Sequence, residues 1–415
     1  MQVTVLATYN EKSNIGYSTE AFFFVVDIFW CRRESFYINE TCKRCVKNSM
    51  SAARIITINI ISFLALLSVL ILFPPTVFRA VLGITKIETQ NVASLTEEQR
   101  YARELANLRS TYHDFIIWRS GDYAGREINV EGGLRRTFEP EKLAEDATEY
   151  WFFGGSTTWG YGVSDRSTYP SKFAAENGAI TKNFGELGYI SRQSLEYLIN
   201  LLLLRDEYSD LTNIHVVFYD GANDVAQRCI SQVSELGSAR EWQIRKAVAQ
   251  SYSPTNQWTF ERTFAQVSDM LKRILARLDV QTDNQRTASY DCASNPQEAA
   301  QIANTLTNVW HMASQIVTSR GGRFTAILQP VAFVGTPGTA GLQLHTPRNL
   351  SLDKQFDAVY PRIEHQANQS DFEFLDFRSV YDECDDCYLD FCHATPEGHV
   401  LLVEALSSGL SQSKK

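Results

Sequence analysis

The chain has 415 residues, 44% hydrophobic and 21% charged, the balance of a folded protein with one large or two modest domains. A formal net charge of −9 supplies no basic face for neutralising phosphates, so nucleic acid is excluded as an expected partner. The sequence holds no internal repeat and no long low-complexity segment.

Residues 1–54 mix polar stretches with a short apolar run at 21–30, too short to cross a bilayer. Met50 opens the tract that leads into the next segment, so the first 49 residues read as a cytosolic tail or as an upstream extension of the true start. Residues 55–73 form a run of 19 without a charge, interrupted only by Thr57, Asn59, Ser62 and Ser68. That length predicts a single transmembrane helix. A cleaved signal peptide would have a shorter apolar region, and Phe78, Arg79 and Ala80 lack the small-x-small cleavage pattern. Lys43, Arg44, Lys47 and Arg54 precede the run, while Arg79 and Lys86 follow it. The positive-inside bias then places the N-terminus in the cytoplasm and the body on the exported side, periplasmic, lumenal or extracellular.

Residues 74–146 read as a stalk and accessory segment. A charged stretch at 95–108, opened by Thr96, Glu97 and Glu98, predicts a helix. The stretch 112–137 has short alternating runs and paired glycines, which predict a loop or small hairpin laid over the main body. Its Arg119, Arg126, Arg135 and Arg136 could meet an anionic substrate, although solvated surface arginines are the commoner case.

From about residue 147 to 415 strands and helices alternate. Strands are expected at 149–153, 180–184, 214–219, 324–331 and 372–375, and helices at 169–176, 191–204, 258–278, 298–318 and 396–407. Such alternation implies a parallel sheet covered on both faces. The irregular stretch 226–257 reads as a lid or edge insertion. Of eight cysteines, Cys42 and Cys45 have no downstream pair at zinc-ribbon spacing. Cys229, Cys292, Cys384, Cys387 and Cys392 lie in the body, where at least one disulfide is expected among the last three, with a bond from that group to Cys229 as one arrangement. Asn349 and Asn368 open glycosylation sequons.

Four places carry chemistry. Tyr150–Phe153 is an aromatic strand that ends in Gly154 and Gly155, followed at once by Ser156, so the serine stands at the carboxyl end of a strand. The same pattern would suit an N-capping serine, and Thr158 rules out a G-x-S-x-G elbow. Asn183-x-Gly185-x-x-Gly188 follows the second strand, and Gly188 could offer an unobstructed N–H to an oxyanion. Gly221-x-Asn223-Asp224 follows the third, and Asn223 can donate to developing negative charge or, with Asp224, cap the next helix. Asp390-x-x-His393, just ahead of the last helix, can bring carboxylate and imidazole together. His399 competes with His393 but falls inside a helix, where it packs or faces solvent. A metal held by Asp390, His393, His399 and the nearby cysteines fits no tetrahedral spacing.

Taken jointly and in this order, Gly-Gly-Ser-Thr, N-x-G-x-x-G, G-x-N-D and D-x-x-H resemble the SGNH (GDSL-like) hydrolase superfamily over roughly residues 147–410. The resemblance implies a three-layer, flavodoxin-like α/β/α domain with a central parallel sheet and ester chemistry. Carried over by position, Ser156 is the nucleophile, His393 the general base and Asp390 its orienting partner. The N–H of Ser156, Gly188 and Asn223 form the oxyanion hole. Gly155 departs from the Asp of many members without removing a catalytic part. No cofactor and no metal are implied. The expected partners are an acylated small molecule, carbohydrate or lipid as substrate, O-acetylated carbohydrate among them, and the membrane through 55–73. The same site would serve an O-acyltransferase if an alcohol outcompetes water. A non-catalytic carbohydrate-binding or scaffold protein on this fold is the contrasting reading, against which the intact Ser156, Asn223, Asp390 and His393 argue.

Overall fold

The strand that ends in the paired glycines lies inside an eight-stranded sheet. The computed structural model describes residues 95–412, except 139, 141–142, 144–147, 205–209, 231–236, 239, 242–243, 245–289, 340, 343 and 345–346. The expected span at 55–73, the segments around it and the helix expected at 258–278 lie outside the described residues. Contacts divide the chain into Met1–Thr89 and Gln90–Lys415, and every described residue belongs to the second unit. Among the described residues no helix is long and apolar enough to cross a membrane.

In chain order the elements are α1 (Glu97–Asn107), β1 (Ser110–His113), β2 (Ile117–Ser120), β3 (Tyr123–Ala124), β4 (Asn129–Glu131) and β5 (Leu134–Arg135). Then come β6 (Glu149–Gly154), α2 (Ser156–Trp159), α3 (Tyr169–Asn177), β7 (Ile180–Asn183), α4 (Ser191–Leu204), β8 (Ile214–Asp220) and α5 (Ala222–Arg228). The last are α6 (Pro296–Thr318), β9 (Arg323–Leu328), α7 (Pro347–Ala367), β10 (Glu373–Asp376) and α8 (Pro396–Gln412).

The main sheet runs β10-β9-β8-β6-β7-β5-β4-β3, and its first five strands pair in parallel. Numbered by themselves those five have the order 2-1-3-4-5, the flavodoxin-like doubly wound arrangement, with its switch point beside β6. The strands are apolar without interruption because both faces are covered. Tyr150 and Phe152 of β6 join Val217, Tyr219 and Ile327 against α3 and α8. Trp151 and Phe153 join Val216, Phe218, Ala326 and Leu328 against α4, α6 and α7. Each such aromatic contributes roughly 1.5–3 kcal/mol by leaving water.

Three features differ from the sequence expectation. The 112–137 stretch is not merely laid over the body: β3, β4 and β5 extend the sheet antiparallel, joined through Arg135 opposite Asn183. Its β1–β2 hairpin is separate and seats Ile116 and Trp118 in the main core. Second, α7 has no counterpart among the expected helices. Its Pro361 reads as a breaker in sequence, yet lies within the helix, where Phe356, Val359, Tyr360 and Ile363 are buried. Third, Cys229 pairs with Cys292, not with the Cys384–Cys392 loop. Cys384 bonds Cys387, as expected of that cluster, and Cys392 is a free buried thiol.

Other expectations hold within a few residues. Thr96 caps α1 in a capping box with Gln99. Residues 226–228 of the expected insertion still belong to α5. The fold is an α/β domain with a mostly parallel central sheet.

Candidate active site

The glycines before Ser156 are required for two different close approaches. A Cβ on Gly154 would lie 2.4 Å from the Tyr219 carbonyl oxygen on β8, so β6 can leave the sheet here only without a side chain. A Cβ on Gly155 would lie 2.4 Å from Asn223 Nδ2. The chain then enters α2, where Gly155 holds the cap position and Ser156 is the first helical residue, so the serine is not an N-cap. Its Oγ lies 2.6 Å from His393 Nε2.

Asp390 and His393 meet across one turn of the loop ahead of α8. Asp390 Oδ2 lies 2.7 Å from His393 Nδ1, and Oδ1 accepts the backbone N–H groups of Cys392 and His393, each at 2.9 Å. Burial alone would raise the Asp390 pKa, but the His393 contact and the two N–H donors hold it below the ordinary carboxylate value. An ionised carboxylate can only accept, so Nδ1 carries the ring proton and Nε2 is left to accept from the Ser156 hydroxyl. The Tyr161 ring, 4.5 Å from the imidazole between centroids, covers one side of it.

Gly188 and Asn223 reach the same place from β7 and β8. Gly188 has φ +79°, a left-handed conformation that favours glycine, and its carbonyl accepts from Gln227 Nε2 at 2.9 Å. Its N–H has no acceptor among the described residues. Asn223 Nδ2 donates to the Tyr189 carbonyl at 2.8 Å, which orients the amide and leaves its second hydrogen for a ligand. The Ser156 N–H, in the first turn of α2, has no helical partner. The five residues expected at the site, Ser156, Gly188, Asn223, Asp390 and His393, therefore stand in one array at the carboxyl ends of β6, β7 and β8.

The rest of each motif is structural. Asn183 Nδ2 donates to the Thr158 carbonyl at 2.9 Å and its Oδ1 accepts the Gly185 N–H at 3.0 Å, tying β7 to α2. Asp224 does not cap α5, whose cap is Gly221; it accepts from the Ser191 N–H and Oγ and so holds the start of α4. His399 is 1% exposed and stacks near Tyr169, packing rather than facing solvent. Burial, with Lys172, Arg135 and His393 nearby, pushes its pKa down to about 3.

Sequence reasoning missed three supports. Arg135 is buried, not a surface cation: it pairs with Asp165 at 2.9 Å and donates to the carbonyls of Trp159, Gly160 and Val163, which fixes the loop leaving α2. Arg119 is likewise buried and lies over the Tyr197 ring. Glu186, 2% exposed, accepts from the Ser120 N–H, the Ser120 Oγ and the Leu187 N–H, and so clamps the Gly188 loop to β2. Only the polar Glu186 within an otherwise glycine-rich turn signalled this.

Asp390, Cys392 and His393 also bring three metal-ligating atoms within 4.8 Å of one another. Both Asp390 oxygens already accept N–H groups, and burial pushes the Cys392 thiol well up, which keeps it protonated. That donor set suits a hydrogen-bonded triad better than a cation.

No family model matches the sequence, and no curated protein matches it. Among solved structures the chain is similar to a member of the lipolytic protein G-D-S-L family from Veillonella parvula, at 13% identity over 63% of this chain and 97% of that one, with a TM-score of 0.36. It is also similar to a GDSL-like lipase from Bacteroides thetaiotaomicron, at 15% identity over 66% and 92%, TM-score 0.33. A third is a carbohydrate acetylesterase family member from Sinorhizobium meliloti, at 14% identity over 64% and 98%, TM-score 0.32. At such identities the chemistry of this chain has to be read from its own residues.

Proposed function

We propose that this chain is a serine esterase that hydrolyses O-acyl esters, tethered to a membrane through residues 55–73 with the 147–415 domain on the exported side. The carrying observation is the unbroken hydrogen-bond path from Ser156 Oγ through His393 to Asp390, with three N–H donors beside it. The tether rests on the uncharged 19-residue run.

In this reading His393 Nε2 takes the Ser156 proton as Oγ attacks the acyl carbonyl. Asp390 holds the imidazole in the required tautomer and stabilises the imidazolium without taking its proton. The carbonyl oxygen becomes an anion facing the N–H groups of Ser156, Gly188 and Asn223. His393 then protonates the leaving alcohol, and water attacks the acyl-enzyme by the reverse sequence. Labelling of the full chain with a fluorophosphonate, and acetate release from acetylated sugars, test the proposal. Both are expected in wild type and neither in Ser156→Ala; equal labelling of the two would remove Ser156 from the chemistry.

A further inference from the structure

Beside the Gly188 loop lies a cavity of about 230 Å³, lined by Ser110, Thr111, Tyr112, Ile117, Trp118 and Arg240, with Ile244. It opens where the β1–β2 hairpin meets the short segment that carries Arg240 and Ile244. Trp118 is shared between this cavity and the catalytic loop. Its indole N–H donates to the Leu187 carbonyl at 3.1 Å, and its Cζ2 lies 3.9 Å from where a Gly188 Cβ would be. Tyr189 packs edge-on against it and donates its hydroxyl to the Trp118 carbonyl.

The Arg240 guanidinium lies over the Trp118 ring, 4.5 Å from the ring centroid. Stacking of this kind orients the planar cation and leaves its N–H edge for a ligand. The backbone beneath it is anchored by reciprocal hydrogen bonds between Ser238 and Glu241, the pattern of a capping box. Among the described residues Arg240 has no carboxylate partner, whereas buried Arg119 and Arg135 are held by internal contacts. Its charge is felt at the catalytic loop: burial drives the Tyr189 phenol pKa up, as do Glu186 and Tyr197, while Arg119 and Arg240 pull against them. Exposed Tyr112 completes the wall with an aromatic face, beside the hydroxyls of Ser110 and Thr111.

Building on the esterase reading, we infer that Arg240 is a specificity-determining residue that binds a carboxylate on the substrate. A single planar guanidinium matches the two oxygens of a carboxylate, and among the described residues no second cation lines the cavity to balance a phosphate dianion. The aromatic and hydroxyl-bearing wall suits the ring of a sugar. The substrate class is therefore an O-acylated sugar acid, its carboxylate on Arg240 and its ester at Ser156.

The test uses the full chain with a matched pair, an O-acetylated hexuronic acid and its neutral methyl ester, following acetate release. Wild type should prefer the free acid by roughly 10- to 100-fold in kcat/KM, the usual worth of a charge-assisted contact. Arg240→Gln should bring that ratio close to one, chiefly through KM, and Arg240→Lys should keep part of it. An unaltered ratio in Arg240→Gln, or no preference in wild type, overturns the inference while leaving the esterase reading intact. If neither compound is hydrolysed, that reading fails first, and calorimetric binding of the free acid decides the site. Binding lost in Arg240→Gln supports it, and binding absent or unchanged overturns it.

Discussion

Asn223 Nδ2 occupies the space that a side chain on residue 155 would need, since a Cβ there would lie 2.4 Å away. The glycine before the serine therefore sets the place of an amide carried by α5, the helix that follows β8. Gly155→Ala is expected to displace Asn223 and lower the rate of serine acylation by roughly 10²-fold, comparable with the 10²–10³-fold expected for Asn223→Ala. The double variant should lose little more than either alone, because both remove the same donor. Phosphonate labelling rates measure this, and additive losses would separate the two residues.

Glu186 is a buried carboxylate serving three donors on two segments. Glu186→Ala should leave them unpaired and cost about 2–5 kcal/mol of stability, with Glu186→Gln costing less because one acceptor oxygen survives. Urea midpoints at neutral pH decide it. An unchanged midpoint in the Ala variant would mean that water replaces the carboxylate without loss.

His399 gives a pH dependence with a definite sign. Its folded pKa of about 3 lies below the ordinary histidine value of 6.5, so between these values the unfolded chain binds a proton that the folded one refuses. Stability is then lost as pH falls from about 6.5 toward 3, by at most ~1.4 kcal/mol per pH unit. Glu186, Asp220 and Asp224, whose pKa values burial raises, act in the opposite sense in acid. The measurement is therefore the difference in melting temperature between pH 7.5 and pH 5 for wild type and His399→Gln, and the variant should show the smaller loss. Equal losses would place the acid sensitivity elsewhere.

The Cys229–Cys292 bond closes a loop of 63 residues directly after the helix that carries Asn223. Replacing both cysteines by serine should lower stability by roughly 2–4 kcal/mol through the freed unfolded chain. A chemical denaturation series under non-reducing conditions would show it. No shift in midpoint would mean that the loop is already constrained in the unfolded state.

Much of the sheet was legible because its strands are buried on both faces. Runs such as Trp151 to Phe153 and Val216 to Tyr219 admit no solvated face, and glycines or polar turns bound them. The residues proposed for the triad could be picked out for a similar reason, since each lies just past a strand or ahead of a helix, where local pattern marks the position. Helix α7 escaped notice because Pro361 weighs against a helix locally, and only burial of its flanking apolar residues in the core outweighs it.

What the sequence determined by itself was the alternation of elements, the serine after two glycines, and the order in which the candidate catalytic groups occur. Tertiary structure alone decided that Gly155 makes room for Asn223, that Cys229 bonds Cys292, that Arg135 is interior, and that Arg240 lies on Trp118. Local pattern reports backbone geometry and burial periodicity over a few residues. These four relationships join positions 63 to 122 residues apart, or depend on the partners a buried charge finds, and such contacts exist only once the sheet has assembled.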